Sequence, residues 1–112
     1  MTEHKHQPTV AALVPMRHHS QRVPGKNMRL LDGKPLYHHI IKTLLDVPEL
    51  NSIVVDTDSS EIISGLNAAF PTVKVIDRPG HLRADDVSMN TILLHDISQV
   101  KADFYLQTHS TN

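Results

Sequence analysis

The sequence predicts an α/β fold of the doubly wound type, with a mostly parallel sheet of about four strands and three helices. Three observations predict it. Short runs rich in Val, Ile and Leu recur along the chain, as strands buried on both faces require. Between them lie segments with apolar residues at i, i+3 and i+4, the repeat of an amphipathic helix. The two kinds of segment alternate, and right-handed strand–helix–strand units close into a parallel sheet covered on both sides. At 112 residues the chain is long enough for one domain, taken as residues 1–112, and too short for two.

The first strand is read from Val10-Ala11-Ala12-Leu13-Val14 and is expected to stop at Pro15, which has no N–H for a ladder bond. The first helix carries Tyr37, Ile40, Ile41, Leu44 and Leu45, enters through Gly33-Lys34-Pro35 and ends before Pro48. Ile53-Val54-Val55 forms the second strand and leads into Asp56-Thr57-Asp58. Ile62, Ile63, Leu66 and Ala69 mark the second helix, with Asp58 and Glu61 spaced as an N-cap and its reciprocal partner and Pro71 at its end. Val73-Lys74-Val75-Ile76 is the third strand. The third helix carries Met89, Ile92, Leu93, Ile97 and Val100 as a core stripe, and Asp85 or Asp86 would suit its positive N-terminus. Phe104-Tyr105-Leu106 is the fourth strand, with Tyr105 packed against the sheet.

Composition narrows the function classes. A formal net charge of −1 gives no field that would draw the chain to nucleic acid or a membrane surface. Cysteine is absent, which excludes disulfides and thiolate metal sites. No run approaches the roughly 20 apolar residues of a membrane span, and the polar start Met1-Thr2-Glu3-His4-Lys5 lacks the apolar stretch of a signal peptide. A cytoplasmic domain is expected. Nine histidines include the pairs His18-His19 and His38-His39, but none has partners at a recognisable ligand spacing. They read as surface or loop residues, and no metal ligand is assigned.

The seventeen residues from Pro15 to Leu31 differ from the rest. Loops this long in compact domains tend to be functional, and this one leaves the carboxyl end of a strand, where open α/β sheets bind ligands. Arg17, Arg22 and Lys26 supply cations, Ser20 and Asn27 supply neutral donors, and Gly25 lets backbone N–H groups turn toward an anion. A triphosphate needs that mixture of charge and directional donors. The spacing is not that of a Walker loop. A solvated basic loop that merely caps the next helix would have the same composition.

The order Val14-Pro15-Met16-Arg17-x-x-Ser20-x-x-Val23-Pro24-Gly25-Lys26-Asn27 resembles the signature of the acylneuraminate cytidylyltransferases, the family of the CMP-sialic acid synthetases. Leu30-Leu31-Asp32-Gly33-Lys34-Pro35-Leu36 continues the likeness in register. Val55-Asp56-Thr57-Asp58-Ser59-Ser60-Glu61-Ile62 resembles V-S-T-D-D-x-E-I, and Asp77-Arg78-Pro79-x-x-Leu82-x-x-Asp85 resembles R-P-x-x-L-x-x-D. Leu106-Gln107 resembles the strand end L-Q-P-T-S. The resemblance implies a Rossmann-like nucleotidyltransferase fold and an enzyme that transfers CMP from CTP to an acidic, sialic-acid-like (nonulosonic) sugar with release of pyrophosphate. It implies that Arg17, Ser20 and Lys26 contact the triphosphate and that Asn27 lies by the ribose. Arg78 would help read the base with the backbone around Val87 and Ser88, and Gln107 would face the sugar. Magnesium is the implied cofactor, with its ligands expected in a carboxy-terminal half beyond Asn112, and the resemblance also allows a homodimer.

The chain departs from the pattern at several places. His18-His19 replaces paired glycines, Gln21 replaces a lysine, Met89 stands where a serine is common, and Thr108-His109 replaces proline-threonine. Several site residues also have plainer readings: Arg78 as a surface partner of Asp77 or Asp85, and Asp58 as a helix cap. The alternative to an enzyme is a non-catalytic nucleotide-binding module or inactive fragment with the same fold. A dinucleotide-binding domain is disfavoured, because no G-x-G-x-x-G follows the first strand.

Overall fold

A computed structural model describes residues 8–16, 29–83 and 87–108 of the chain. Its centre is β1, Val10–Met16, in which every residue after Val10 is buried. The main sheet adds β4 (Ser52–Thr57), β5 (Lys74–Asp77) and β6 (Phe104–Gln107), all pairing in parallel in the order β5-β4-β1-β6. A two-stranded antiparallel hairpin, β2 (Leu30–Leu31) with β3 (Lys34–Pro35), precedes the first helix. The helices are α1 (Leu36–Leu45), α2 (Ser60–Ala69) and α3 (Met89–Gln99), with a short 3-10 turn at Gly80–Leu82.

Alternation along β1 sorts the core into two layers. Ala12, Val14 and Met16 meet Tyr37 and Ile41 of α1 and Ile62 and Leu66 of α2. On the opposite face Leu13, Val54 and Ile76 are covered by Leu93, Val100 and Tyr105. The sheet is therefore doubly wound, as the periodicity predicts. Side chains set the register at the amino ends of the strands. Asn51 accepts from the Val10 N–H at 2.7 Å, and Asp103 accepts from the Thr9 N–H at 2.9 Å.

Four local expectations need correction. The first strand continues through Pro15 to Met16. Backbone groups alternate sides along a strand: the Val10 carbonyl accepts from the Asn51 N–H on the β4 side, whereas the Leu13 carbonyl accepts from the Thr108 N–H on the β6 side. Pro15 therefore faces the β6 side, past the last ladder bond of the described residues, where a missing N–H breaks nothing. The hairpin was missed, although Asp32-Gly33 is its signal: both residues have positive φ, 52° and 79°, as a type I′ turn demands. The cap of α2 is Ser59, not Asp58, and its hydroxyl accepts from the Ile62 N–H at 3.2 Å. The strand before it runs on to Thr57, which shifts the helix start by one residue and puts Glu61 in the first turn. The cap of α3 is Ser88, and its stripe is narrower than expected, with Ile92 buried but Met89 and Ile97 exposed. Leu45 of α1 is likewise exposed.

Gly65 lets α1 and α2 pack closely: a Cβ there would overlap the hydroxyl of the buried Tyr37. Gly65→Ala is expected to destabilise the chain by about 1–3 kcal/mol through overpacking, although alanine is the better helix former by about 1 kcal/mol. Urea denaturation measures this, and Tyr37→Phe in the same background is expected to restore part of the loss. An unchanged midpoint in Gly65→Ala would contradict the close approach.

Candidate active site

The strand order defines the site. From β1 the chain moves outward through β4 to β5, then returns to the other side of β1 for β6. The order reverses between β1 and β6, and parallel sheets of this kind bind ligands in the crevice at the carboxyl ends of such neighbours. The basic segment 17–28 leaves the carboxyl end of β1. Arg17, Ser20, Lys26 and Asn27 lie outside the described residues. Gln107 ends β6 in register with Leu13 and is exposed. The expected adjacency of the first and fourth main strands is thus observed.

Arg78 and Ser88 flank the neighbouring strand ends. Ser88 accepts from the Thr91 N–H at 3.2 Å and lies 2.8 Å from the Thr91 hydroxyl. Its side chain serves as the cap of α3. Asp85 lies outside the described residues, and Arg78 is an interior residue, not the surface partner of Asp77. It is 1% exposed, and its Nε donates to Asp56 Oδ1 at 2.7 Å while Nη2 donates to the Asp56 carbonyl at 3.1 Å. Asp77 instead accepts from Arg83 at 2.7 Å, in an exposed pair.

Below Arg78, the fully buried Asp96 projects from α3. Taken as two carboxylates, Asp56 Oδ2 and both Asp96 oxygens would be buried without hydrogen-bond partners. One proton resolves this. Burial foremost, then the hydrogen bond and negative charge of Asp56, push the Asp96 carboxyl up to about 8, with Arg78 opposing. Burial and the neighbouring Asp56 thus favour the protonated form of the Asp96 carboxyl, which in that form has a donor to offer Asp56. An isolated second carboxylate in this interior would be strongly unfavourable. The sequence reading missed Asp56 and Asp96. The available signals were Asp56 in place of the serine in the resembled pattern, and a carboxyl four residues after Ile92 on the inner face of α3.

Residues 11–112 match the profile of the family described as Cytidylyltransferase. The chain belongs to the cytidylyltransferase family. Among relatives of this cytidylyltransferase-family chain, the CMP-N,N'-diacetyllegionaminic acid synthase of Legionella pneumophila is 49% identical over 53 residues, which are 47% of this chain and 23% of that protein. The 3-deoxy-manno-octulosonate cytidylyltransferase of Koribacter versatilis is 30% identical over 99 residues, covering 85% of this chain and 34% of its own length. A solved CMP:2-keto-3-deoxy-manno-octonic acid synthetase, described as complexed with CTP, superposes with a TM-score of 0.77 at 26% identity, over 91% of this chain and 40% of that one. A 4-diphosphocytidyl-2C-methyl-D-erythritol synthase shares the fold at a TM-score of 0.64 and 18% identity. The chain thus spans less than half the length of each of these relatives.

Among the described residues no group of three or more His, Asp or Glu side chains is arranged to hold a metal ion. Asp56 and Asp96 face Arg78 in the interior and do not fit a cation. No helix of the described residues is long and apolar enough to cross a membrane.

The raised Asp96 pKa makes stability depend on pH. Between its ordinary value of 3.8 and about 8, the folded chain holds a proton that the unfolded chain has released, so this group's contribution falls as pH rises through that window and levels off above it. Asp96→Asn keeps a donor without the titration and is expected to remove that component of the slope. Urea denaturation at pH 5, 7 and 9 tests this; identical slopes in both proteins would assign the proton elsewhere.

Proposed function

We propose that this chain is the nucleotide-binding part of a cytidylyltransferase that loads CMP from CTP onto an acidic, sialic-acid-like sugar. The observation that carries the reading is the carboxyl end of β1, which lies beside β6 where the strand order reverses and is followed directly in the sequence by the basic residues 17–28. Family membership identifies CTP as the nucleotide to test, and the likeness to a legionaminic acid synthase favours a nonulosonic sugar. The matching 3-deoxy-manno-octulosonate enzymes make that acid the comparison substrate.

In this reading the anomeric hydroxyl of the sugar attacks the α-phosphorus of CTP. The bond to the bridging oxygen of the β-phosphate breaks, pyrophosphate leaves, and the hydroxyl proton passes to solvent. Arg17, Ser20 and Lys26 offset and orient the triphosphate, because cations and fixed donors are worth more where charge develops. Asn27 lies at the ribose, Arg78 and the backbone at Val87 and Ser88 border the base, and Gln107 faces the sugar. The magnesium this chemistry uses finds no ligand set among the described residues, so the roles assigned are those of the chain's own side chains.

Thermal unfolding of the chain with CTP and magnesium, compared with UTP, ATP and GTP, tests the reading. A ligand that binds only the folded state stabilises it by about 2.7 kcal/mol at a hundredfold excess over Kd, so a CTP-selective rise in Tm is expected. Arg17→Ala and Lys26→Ala are each expected to reduce the shift, most strongly at low salt where screening is least. A folded chain with no CTP-selective shift would overturn nucleotide binding by this part alone. Equal shifts in wild type and both variants would remove the phosphate-loop assignment.

A further inference from the structure

Between β5 and α3, the described residues 78–83 follow the carboxyl end of β5 beside that of β4, and Val87 and Ser88 precede α3. At the entry, Arg78 donates its N–H to the Thr57 carbonyl at 2.9 Å and its guanidinium to Asp56. The turn Gly80–Leu82 follows, with Leu82 buried, and Arg83 reaches back to the Arg78 carbonyl at 2.6 Å. At the exit, Val87 and Ser88 lead into α3, which carries the buried Asp96 two turns further on. The entry is therefore tied to Asp56 of β4, and α3 brings a second buried carboxyl, Asp96, to the same interior cluster.

We propose that Asp56 and Asp96 are positioning residues that, through Arg78 and α3, hold the turn Gly80–Leu82 and the backbone at Val87 and Ser88 in register for the nucleobase. The proposal rests on the reading that CTP binds at these strand ends, and it deepens that reading by naming what sets base selectivity. Three features of the cluster support it. All three side chains are at most 1% exposed, so solvent does not compete for their bonds. Both donor groups of Arg78 that meet Asp56 converge on one residue, which fixes the plane of the guanidinium. Asp96 is buried on α3 in the layer that otherwise holds Leu13, Val54 and Ile76, where a carboxyl is unfavourable without a partner.

The groups facing Asp96 are Asp56 from β4 and Arg78 from the end of β5. Loss of its proton sets a second negative charge against Asp56, and the tie between α3 and β4 weakens. A network with no positioning role would alter stability alone and leave the preference among bound nucleotides unchanged.

The test is the dissociation constant of the chain for CTP and for UTP, each with magnesium, by calorimetry at pH 7.5 and 9.5, in wild type, Asp96→Asn, Asp96→Leu and Asp56→Ser. Circular dichroism confirms that each variant is folded at the assay temperature. Asp96→Leu and Asp56→Ser are expected to lose about tenfold in preference for CTP over UTP, the usual order for residues acting through others. Asp96→Asn is expected to keep the preference at both pH values, whereas wild type loses part of it at pH 9.5. Wild-type preference with the same value in every folded variant would overturn the proposal and leave the CTP reading standing. Absence of CTP binding by the folded wild type would overturn both. If Asp96→Leu and Asp56→Ser do not fold, the proposal stands or falls on whether the pH dependence seen in wild type disappears in Asp96→Asn.

Discussion

The first strand of this chain must be buried on both faces and hydrogen-bonded on both edges, and the rest of the structure follows from that constraint. Six consecutive residues of β1, from Ala11 to Met16, are shielded from solvent. A strand so apolar is stable only with helices above and below it and a parallel neighbour on each side. The chain meets the first need with α1 and α2 on one face and α3 on the other. It meets the second by building outward through β4 and β5 and then returning for β6. That return creates the crevice at the carboxyl ends of β1 and β6, so the location of the candidate site is a by-product of how the core is covered.

The two faces of the sheet are not equivalent. The face under α1 and α2 holds a larger apolar cluster, closed where Gly65 lets Tyr37 approach. The face under α3 has a smaller apolar cluster and, beside it, the Asp56–Arg78–Asp96 group. Replacing buried ion pairs by apolar residues is often neutral or stabilising, so stability alone does not account for this cluster. What it supplies is direction, since hydrogen bonds fix orientation where apolar contacts permit sliding. Phe104 and Leu106 of β6, and separately Leu94 of α3, are exposed. These are apolar side chains that the described residues leave uncovered.

Much of the fold was legible because it rests on local patterns. The four main strands and three helices fall where the β-branched runs and the i, i+3, i+4 spacing place them. The misplacements are all at ends. Pro15 reads as a stop, because sequence does not show which edge of a strand a residue faces or where the neighbouring strand finishes. Asp58 has the spacing of a cap, but the preceding strand runs one residue further and hands the position to Ser59. The Asp32-Gly33 turn is legible as well, because both residues tolerate the positive φ that its geometry requires.

The sequence by itself determined the fold class, the order of elements, the family, and the basic, glycine-containing segment that leaves the first strand. Each is a property of residues close together in the chain or of a motif read in order. Only the tertiary structure decided that Arg78 is an interior residue and that its partner is Asp56, 22 residues earlier. It likewise buried Asp96 beside that pair, where desolvation and the neighbouring Asp56 raise its pKa. Those contacts join residues from two strands and a helix, and their energies depend on exclusion from water. Whether a carboxyl is charged, and where an arginine points, is settled by the surroundings that the completed fold assembles around it.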